Sequence, residues 1–219
     1  MPDVPEQPAV FQTLDRTAKF PYPKHDYLRR LLWLLVQATV YRASPGRAYG
    51  WRRWLLRLFG AKMGISAAVR GDTCIMHPWL FEMGDWSALG GGVTVYNLGM
   101  VRIGNHTLVS QDVYLCAGSH DYRQPTLPLT KPPITIGNGV WICAGAFVCP
   151  GVTIGDNSVI GARSVVSSDM PRGVVAAGNP CRVIKQRETS TPALAAAQRP
   201  GTDAGSPEPP LCPPPFGEG

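Results

Sequence analysis

A histidine stands where a regular pattern in this sequence stops. His120 lies in LCAGSHDYRQPTLPLTKPPITIG, residues 115–137, and the pattern resumes only at Ile136. An imidazole, with a pKa near 7, is the best-matched side chain for taking the proton of a hydroxyl as that hydroxyl attacks, an effect of about 10²–10⁴ in rate. We therefore predict that His120 is a catalytic base and that residues 119–133 form an active-site loop. The loop is stiffened by four prolines, Pro125, Pro128, Pro132 and Pro133.

The alternative interpretation of this segment is a surface loop that carries a solvated histidine. The choice depends on the elements that position the loop, and these repeat with a period of six residues. A helix repeats near 3.6 residues and a strand near 2, so neither alone explains the period. A solenoid of short strands and tight turns does, because each leading side chain points to the axis and stacks on its equivalent in the next coil.

The leading positions of the repeat are branched aliphatic residues, and the positions after them are small. Downstream of the loop the leading residues are Ile136, Ile142, Val148, Ile154, Ile160 and Val166, and the small ones are Gly137, Cys143, Cys149, Gly155, Gly161 and Ser167. Upstream, the leading residues are Ile103, Val109 and Leu115, preceded in another phase by Met83, Leu89, Val95 and Val101, and before them by Val69, Ile75 and Phe81. The sequence thus predicts two phase shifts, one near residue 101 and one after His120.

Two apolar segments precede the repeat and are predicted to be helices. Residues 26–41 are apolar almost all round but too short to span a bilayer, which takes about 20 apolar residues. Residues 50–60 interleave arginines with tryptophan and leucine. We predict a helical cap, residues 26–64, on the open end of the solenoid, where edge strands need cover. A peripheral contact with an anionic membrane is the second interpretation.

The composition fits a folded domain between two low-complexity ends. The chain has 219 residues, 44% hydrophobic and 16% charged, with 24 Gly and 22 Pro. We divide it into a Pro-rich arm (1–25), the cap, the solenoid domain (65–186) and a disordered tail (187–219). The six cysteines form no CxxC pair and the start has no signal-peptide pattern, so we expect a cytoplasmic protein with free thiols. The net charge of +6 favours phosphate-bearing partners, but no nucleic-acid reading motif is present.

Four stretches carry a resemblance to a known family. VYNLG (95–99), LCAGSHDYR (115–123), the segment from Lys131 to Val166 and AAGNPCRVIK (176–185) resemble the hexapeptide-repeat sugar O-acetyltransferases of the galactoside and maltose type. RRWLLRLFGAKMG (52–64) and SHDYR are similar to the colanic-acid and exopolysaccharide biosynthesis branch. The resemblance implies an all-β fold, a left-handed parallel β-helix with three hexads per coil. It also implies acetyl-CoA as co-substrate, a carbohydrate acceptor, no metal, and a homotrimer with active sites between subunits.

The resemblance also assigns roles to individual residues. His120 matches the catalytic base. Asn97 matches a sugar-contacting asparagine and Trp141 an aromatic wall of the site, and we expect Asp121 to face the acceptor or solvent. The predicted acetyl-CoA contacts are Ala144, Ala162, Ser167, Arg182 and Lys185. Many relatives have a Thr-Lys pair where this chain has Ser167 and Ser168, which removes one phosphate contact.

Two other functions share the predicted fold. One is a non-catalytic solenoid that serves as a scaffold or binding protein in polysaccharide assembly, which the basic amphipathic segment near the N-terminus suggests. The other is a zinc hydratase, whose three histidine ligands converge within about 2.1 Å of the metal. The available histidines are His77, His106 and His120, but the last two are fourteen residues apart, short of a full coil of eighteen. We therefore favour acetyl transfer.

Overall fold

A computed structural model of the chain describes residues 12–17 and 24–188. Helix α1 (Lys24–Val36) continues into a π-helical turn (Gln37–Tyr41), and α2 (Tyr49–Leu58) follows. Nineteen short strands come next in the described part of the chain: β1 (Lys62–Met63), β2 (Ala68–Val69), β3 (Cys74–Ile75), β4 (Phe81–Met83), β5 (Ala88–Leu89), β6 (Thr94–Tyr96), β7 (Val101–Ile103), β8 (Leu108–Val109), β9 (Tyr114–Cys116), β10 (Ser119–His120), β11 (Leu129–Thr130), β12 (Ile134–Ile136), β13 (Trp141–Ile142), β14 (Phe147–Val148), β15 (Thr153–Ile154), β16 (Val159–Ile160), β17 (Val165–Val166), β18 (Val174–Ala177) and β19 (Arg182–Gln186).

The strands stack in parallel into three sheets that form a triangular solenoid of about six turns. Sheet A has the order β1-β4-β7-β12-β15, sheet B the order β2-β5-β8-β13-β16-β18, and sheet C the order β3-β6-β9-β14-β17. Each coil passes through A, B and C in turn. The leading residue of each hexad points inward, and those from Ile136 to Val166 are at most 1% exposed. The predicted left-handed β-helix fold is therefore confirmed.

The coils differ in length on the two sides of the loop. Val69 pairs with Leu89 and Leu89 with Val109, so the first coils repeat every twenty residues. Ile142 pairs with Ile160, so the later coils repeat every eighteen. Both early coils take their two extra residues between sheet C and sheet A. The prediction of one phase shift near residue 101 was therefore incomplete, because the same shift also occurs one coil earlier.

A ladder of polar side chains holds successive coils together at the corner between sheets A and B. The carboxylate of Asp85 accepts a hydrogen bond from the backbone N–H of Ile65, and the amide oxygen of Asn105 accepts one from Asp85. Asn138 and Asp156 continue the ladder at 2.8 and 2.7 Å. Each bond satisfies a corner N–H that the parallel sheets leave unpaired.

The helical cap covers the first coil, as predicted, and closes the open edge of every sheet. Arg57 donates to the carbonyl of Met63 in sheet A at 2.6 Å, and Arg53 donates to Ala67 beside sheet B at 2.9 Å. The indole N–H of Trp33, itself 1% exposed, donates to Ile75 in sheet C at 2.6 Å. These carbonyls would otherwise be exposed sheet edges, so the cap removes a site for strand pairing with other molecules.

The last coil ends in an antiparallel pair, in which β19 folds back on β18. The solenoid begins at Lys62, slightly before its predicted start. The predicted disordered tail, apart from Arg187 and Glu188, and most of the Pro-rich arm lie outside the described residues. None of the helices in residues 12–17 and 24–188 is long and apolar enough to cross a membrane.

Candidate active site

His120 lies on a hairpin that leaves the solenoid at the corner between sheets C and A. Strand β10 pairs antiparallel with β11, so that His120 lies opposite Leu129. The hairpin emerges directly after β9 and returns to β12, which rejoins sheet A. The repeat therefore stops because a separate two-stranded element is inserted there, as the loop prediction required.

The imidazole of His120 is held in one tautomer. Its Nδ1 lies 2.6 Å from the carbonyl oxygen of Leu127. A carbonyl can only accept a hydrogen bond, so Nδ1 is the nitrogen that carries a proton, and in the neutral imidazole Nε2 is then the one with a lone pair. Leu127 has a φ of 44°, in the left-handed region that non-glycine residues rarely adopt. The bent loop backbone thus orients an exposed histidine whose free nitrogen is ready to accept a proton.

A cavity of about 420 Å³ opens beside His120. Its wall includes Thr126 and Lys131 from the hairpin, and also Arg16 and Thr17 from the N-terminal segment. The hydroxyl of Thr17 donates to the carbonyl of Thr126 at 2.6 Å, which fixes this segment on the loop. Sequence reasoning missed Arg16 and Thr17, because nothing in a Pro-rich arm more than a hundred residues away indicates that it returns to the loop.

Asp121 is used within the hairpin. One carboxylate oxygen accepts hydrogen bonds from the backbone and the guanidinium of Arg123, and the other accepts one from Gln124. The hydrogen bond from the Arg123 guanidinium holds the pKa of this partly buried carboxyl below its usual value. Asp121 therefore shapes the turn after His120, and its predicted contact with the acceptor gains no support from this geometry.

Asn97 is completely buried and its amide is fully used. The amide oxygen accepts from the backbone N–H of His77, and the amide nitrogen donates to the carbonyls of His77 and Leu80. The His77 ring in turn lies 2.8 Å from the Asn97 carbonyl through Nδ1. This placement argues against the predicted sugar contact, because a side chain with no exposed surface cannot reach an acceptor. Asn97 instead ties the first two coils together under the hairpin.

The predicted cofactor residues lie mostly along a second corner, between sheets B and C. Ala144 and Ala162 occupy equivalent positions in consecutive coils, and the N–H of Arg163 donates to the carbonyl of Ala144. Trp141 precedes this corner on sheet B, is 44% exposed and donates to the Ser110 hydroxyl at 3.0 Å. The small side chains leave the backbone open to an extended ligand, as close approach requires.

Two cations follow at the end of this corner. Arg182 and Lys185 are exposed on β19, which pairs with β18, the strand one coil beyond Ala162. Arg182 lies opposite Ala177 beside the corner, whereas Lys185 lies opposite Val175 farther along the strand and 3.7 Å from Glu188. They can therefore meet the phosphates of a ligand that lies along the Ala144–Ala162 corner. Ser167 is different, because it follows sheet C and so belongs to the corner from which the His120 hairpin emerges.

The structure thus places the predicted base and most of the predicted cofactor residues at two different corners of one chain. His120 and Ser167 lie between sheets C and A, whereas Ala144, Ala162 and Arg182 lie between sheets B and C. The outer face of sheet C separates the two sets. Within the described residues, no three His, Cys, Asp or Glu side chains lie close enough to hold a metal ion.

Comparison with known proteins places this solenoid in a family. Residues 133–168 match the model of the bacterial transferase hexapeptide (six repeats). Over 156 residues, 71% of this chain and 86% of the relative, the sequence is 46% identical to the putative colanic acid biosynthesis acetyltransferase WcaF of Escherichia coli (strain K12). The chain belongs to the hexapeptide-repeat acetyltransferases. It is therefore an acyltransferase.

Solved structures of this family have the same architecture. A galactoside acetyltransferase in complex with coenzyme A matches with a TM-score of 0.64 and 30% identity, covering 77% of this chain and 86% of that one. A maltose O-acetyltransferase from Clostridium difficile 630 matches with a TM-score of 0.69 and 27% identity, covering 76% and 90%. The N-terminal cap and the solenoid therefore both fall within the structure that the family shares.

Proposed function

We propose that this protein transfers the acetyl group of acetyl-CoA to a sugar hydroxyl in the biosynthesis of an exopolysaccharide or another cell-surface glycan. The observation that carries the proposal is the His120 tautomer, with Nδ1 bound to Leu127 and Nε2 free beside a cavity. The 46% identity to a putative colanic acid biosynthesis acetyltransferase supports the pathway, and the coenzyme A held by the related galactoside enzyme supports the donor.

The proposed reaction needs one base and no covalent enzyme intermediate. Nε2 of His120 accepts the proton of the acceptor hydroxyl as its oxygen forms a bond to the acetyl carbon. The bond from that carbon to the thiol sulfur of CoA then breaks, and the imidazolium returns the proton to the departing thiolate. A backbone N–H near the cofactor groove would stabilise the oxyanion, a contribution of about 10²–10³ in rate.

The separation of the two residue sets supports a trimer as the active form. We infer that His120 of one subunit meets the Ala144–Ala162 corner of a neighbour, so that each active site is completed between two chains. Lys131 and Arg16, which line the cavity with His120, would then contact the acceptor. A closed ring of heterologous interfaces satisfies this arrangement.

The first test is calorimetric titration of the purified full-length protein with acetyl-CoA and, separately, with CoA. Saturable binding in the micromolar range supports the proposal, and a screen of acceptor glycans by thiol release would then identify the substrate. A folded, oligomeric protein that binds neither ligand would overturn it in favour of a non-catalytic solenoid.

A further inference from the structure

The outer surface of the helical cap is strongly apolar. Leu28, Leu31 and Leu35 follow one face of α1, and Trp51, Trp54 and Leu58 follow one face of α2; we call these six residues the cap face. Their exposed fractions run from 44% to 64%. The indole of Trp51 donates to the carbonyl of Val40, which links α2 to the π-helical turn that continues α1, and it stacks on Trp54 within α2. Large exposed apolar surface on two neighbouring helices indicates an interaction site.

Positive charge predominates around the cap face, and Asp26 in the first turn of α1 is the acidic residue of the two helices. Residues 27–71 hold nine of the 21 basic residues of the chain and none of its 15 acidic residues. The rest of the chain is therefore net acidic, with twelve basic residues against fifteen acidic ones. The basic character of this protein is a property of its cap and not of its solenoid.

Three arginines of the cap keep their positive charge although they donate hydrogen bonds to backbone carbonyls. Arg53 and Arg57 donate to the backbone carbonyls of the first coil, and Arg29 donates to the carbonyl of Phe59. A carbonyl is neutral, so these hydrogen bonds hold the guanidinium groups in place without cancelling their charge. The sequence predicted a cap, with an anionic-membrane contact as the second interpretation. In the structure Arg53 and Arg57 bond to the first coil, and leucine and tryptophan lie outside.

We propose that the cap face docks on an anionic membrane surface, with both helices lying in the plane of the lipid–water interface. Apolar side chains with tryptophan among them enter the headgroup region, and the surrounding positive field attracts acidic lipids. Helix α1, with thirteen residues, is about 20 Å long and lies on the bilayer without crossing it. A second copy of this chain is a poorer occupant, because it would bring a second positive cap against the first.

The test is sedimentation of the full-length protein with vesicles. We expect binding to phosphatidylcholine vesicles that contain about a third phosphatidylglycerol, little binding to phosphatidylcholine alone, and weakening by salt. The triple variant Leu31→Gln, Leu35→Gln, Leu58→Gln should reduce the affinity for anionic vesicles at least about tenfold, because each change removes exposed apolar surface without lowering helix propensity much.

The matched control is the double variant Val183→Gln, Ile184→Gln, which removes exposed apolar residues of β19 at the far end of the solenoid and should bind as the wild type does. Circular dichroism and light scattering establish that each variant is folded and has the wild-type mass. The proposal is wrong if the wild type does not bind anionic vesicles or binds both vesicle types equally. It is wrong, too, if the control variant loses binding. It is also wrong if the triple variant changes the oligomeric mass, since the cap face would then join copies of this chain. None of these readouts requires acetyl transfer.

Discussion

At the scale of single residues, the site depends on which atoms are already engaged. His120 has one nitrogen bound to Leu127 and one free, which is the state that a general base needs. Asn97 and Asp121 are polar residues of the same segments, yet their side chains are occupied by backbone or loop partners. His120 was predicted from its place at the break in the repeat and Asn97 from the family resemblance, and hydrogen bonding distinguishes the predicted base from Asn97 and Asp121.

Replacing His120 should remove transfer without removing cofactor binding. We expect His120→Ala to lower kcat by about 10²–10⁴ while the Kd for CoA changes little, because the base lies at a different corner from the proposed cofactor residues. The control is His106→Asn, a second exposed histidine whose φ of 53° asparagine tolerates. Turnover by thiol release and binding by calorimetry separate the two effects. Retained turnover in His120→Ala would show that another group is the base.

His77 should make stability depend on pH. Burial lowers the pKa of this histidine, and the hydrogen bond to the Asn97 carbonyl opposes that shift only in part. Below about pH 6.5 the unfolded chain therefore takes up a proton that the native protein does not, and the free energy of unfolding falls as the pH falls. Urea unfolding at fixed protein concentration should show a smaller loss for His77→Asn than for wild type. If both proteins lose the same free energy of unfolding on acidification, His77 is not the source of the pH dependence.

At the scale of elements, the solenoid depends on close contact between coils and on closed ends. Gly161 is a corner residue, and a Cβ placed there would lie 2.6 Å from the Cβ of Ala177 in the next coil. The first coil in turn depends on α2, where Arg52 is completely buried and donates to Ser44 and to the carbonyls of Pro45 and Gly46.

A larger side chain at Gly161 should separate the last coils. We expect Gly161→Val to lower the free energy of unfolding by about 1–3 kcal/mol, as overpacking does, and to weaken CoA binding at the adjoining Ala162. Gly46→Val is the matched control, because a Cβ at Gly46 meets nothing within 4 Å. Thermal unfolding measures the first effect and calorimetry the second. An unchanged Tm for Gly161→Val would contradict this stacking.

The buried arginine of α2 should matter for the cap. Arg52→Met is expected to cost about 1–3 kcal/mol, because it leaves the carbonyls that close the α1–α2 turn without their donor. Arg42→Met, at an exposed arginine of the same turn, should change stability by less than about 0.5 kcal/mol. If the two substitutions lower the free energy of unfolding equally in urea, the buried hydrogen bonds of Arg52 do not contribute to stability.

At the scale of the whole molecule, one chain holds both sets of predicted site residues but keeps them apart. The triangular section puts the His120 hairpin and the Ala144–Ala162 corner at different corners, with sheet C between them. A ring of three chains removes this separation. We therefore expect the protein in solution to have about three times the 23.7 kDa mass of one chain.

Mixed oligomers test whether the site is shared. His120→Ala removes the proposed base. Ala162→Arg blocks the proposed cofactor corner at Ala144 and Ala162 with a large side chain. When the two inactive proteins are unfolded and refolded together in equal amounts, about a quarter of the sites should recover one intact half from each chain. Thiol release measures the recovery, and refolding each variant alone is the control. If trimers that contain both variants recover no activity, the whole site lies within a single chain.

The repeat and its interruption were predictable from the sequence because both are local. A period of six fixes which side chains enter the core, and a break in the period locates an insertion without any knowledge of distant contacts. The leading residues from Ile136 onward and the hairpin with His120 were therefore found before the structure. The first phase shift was missed, since Phe81 and Met83 are both buried in one strand and either fits the pattern.

Other features depend on contacts between segments far apart in the chain, and only the tertiary structure decided them. The burial of Asn97, the return of Arg16 and Thr17 to the loop, and the inward direction of Arg53 and Arg57 are such contacts. Sequence by itself determined the solenoid, the position of His120 where the repeat is interrupted, and the residues of the cap. The fold decided which polar groups are already satisfied, because a hydrogen bond depends on distances in space that no periodicity records.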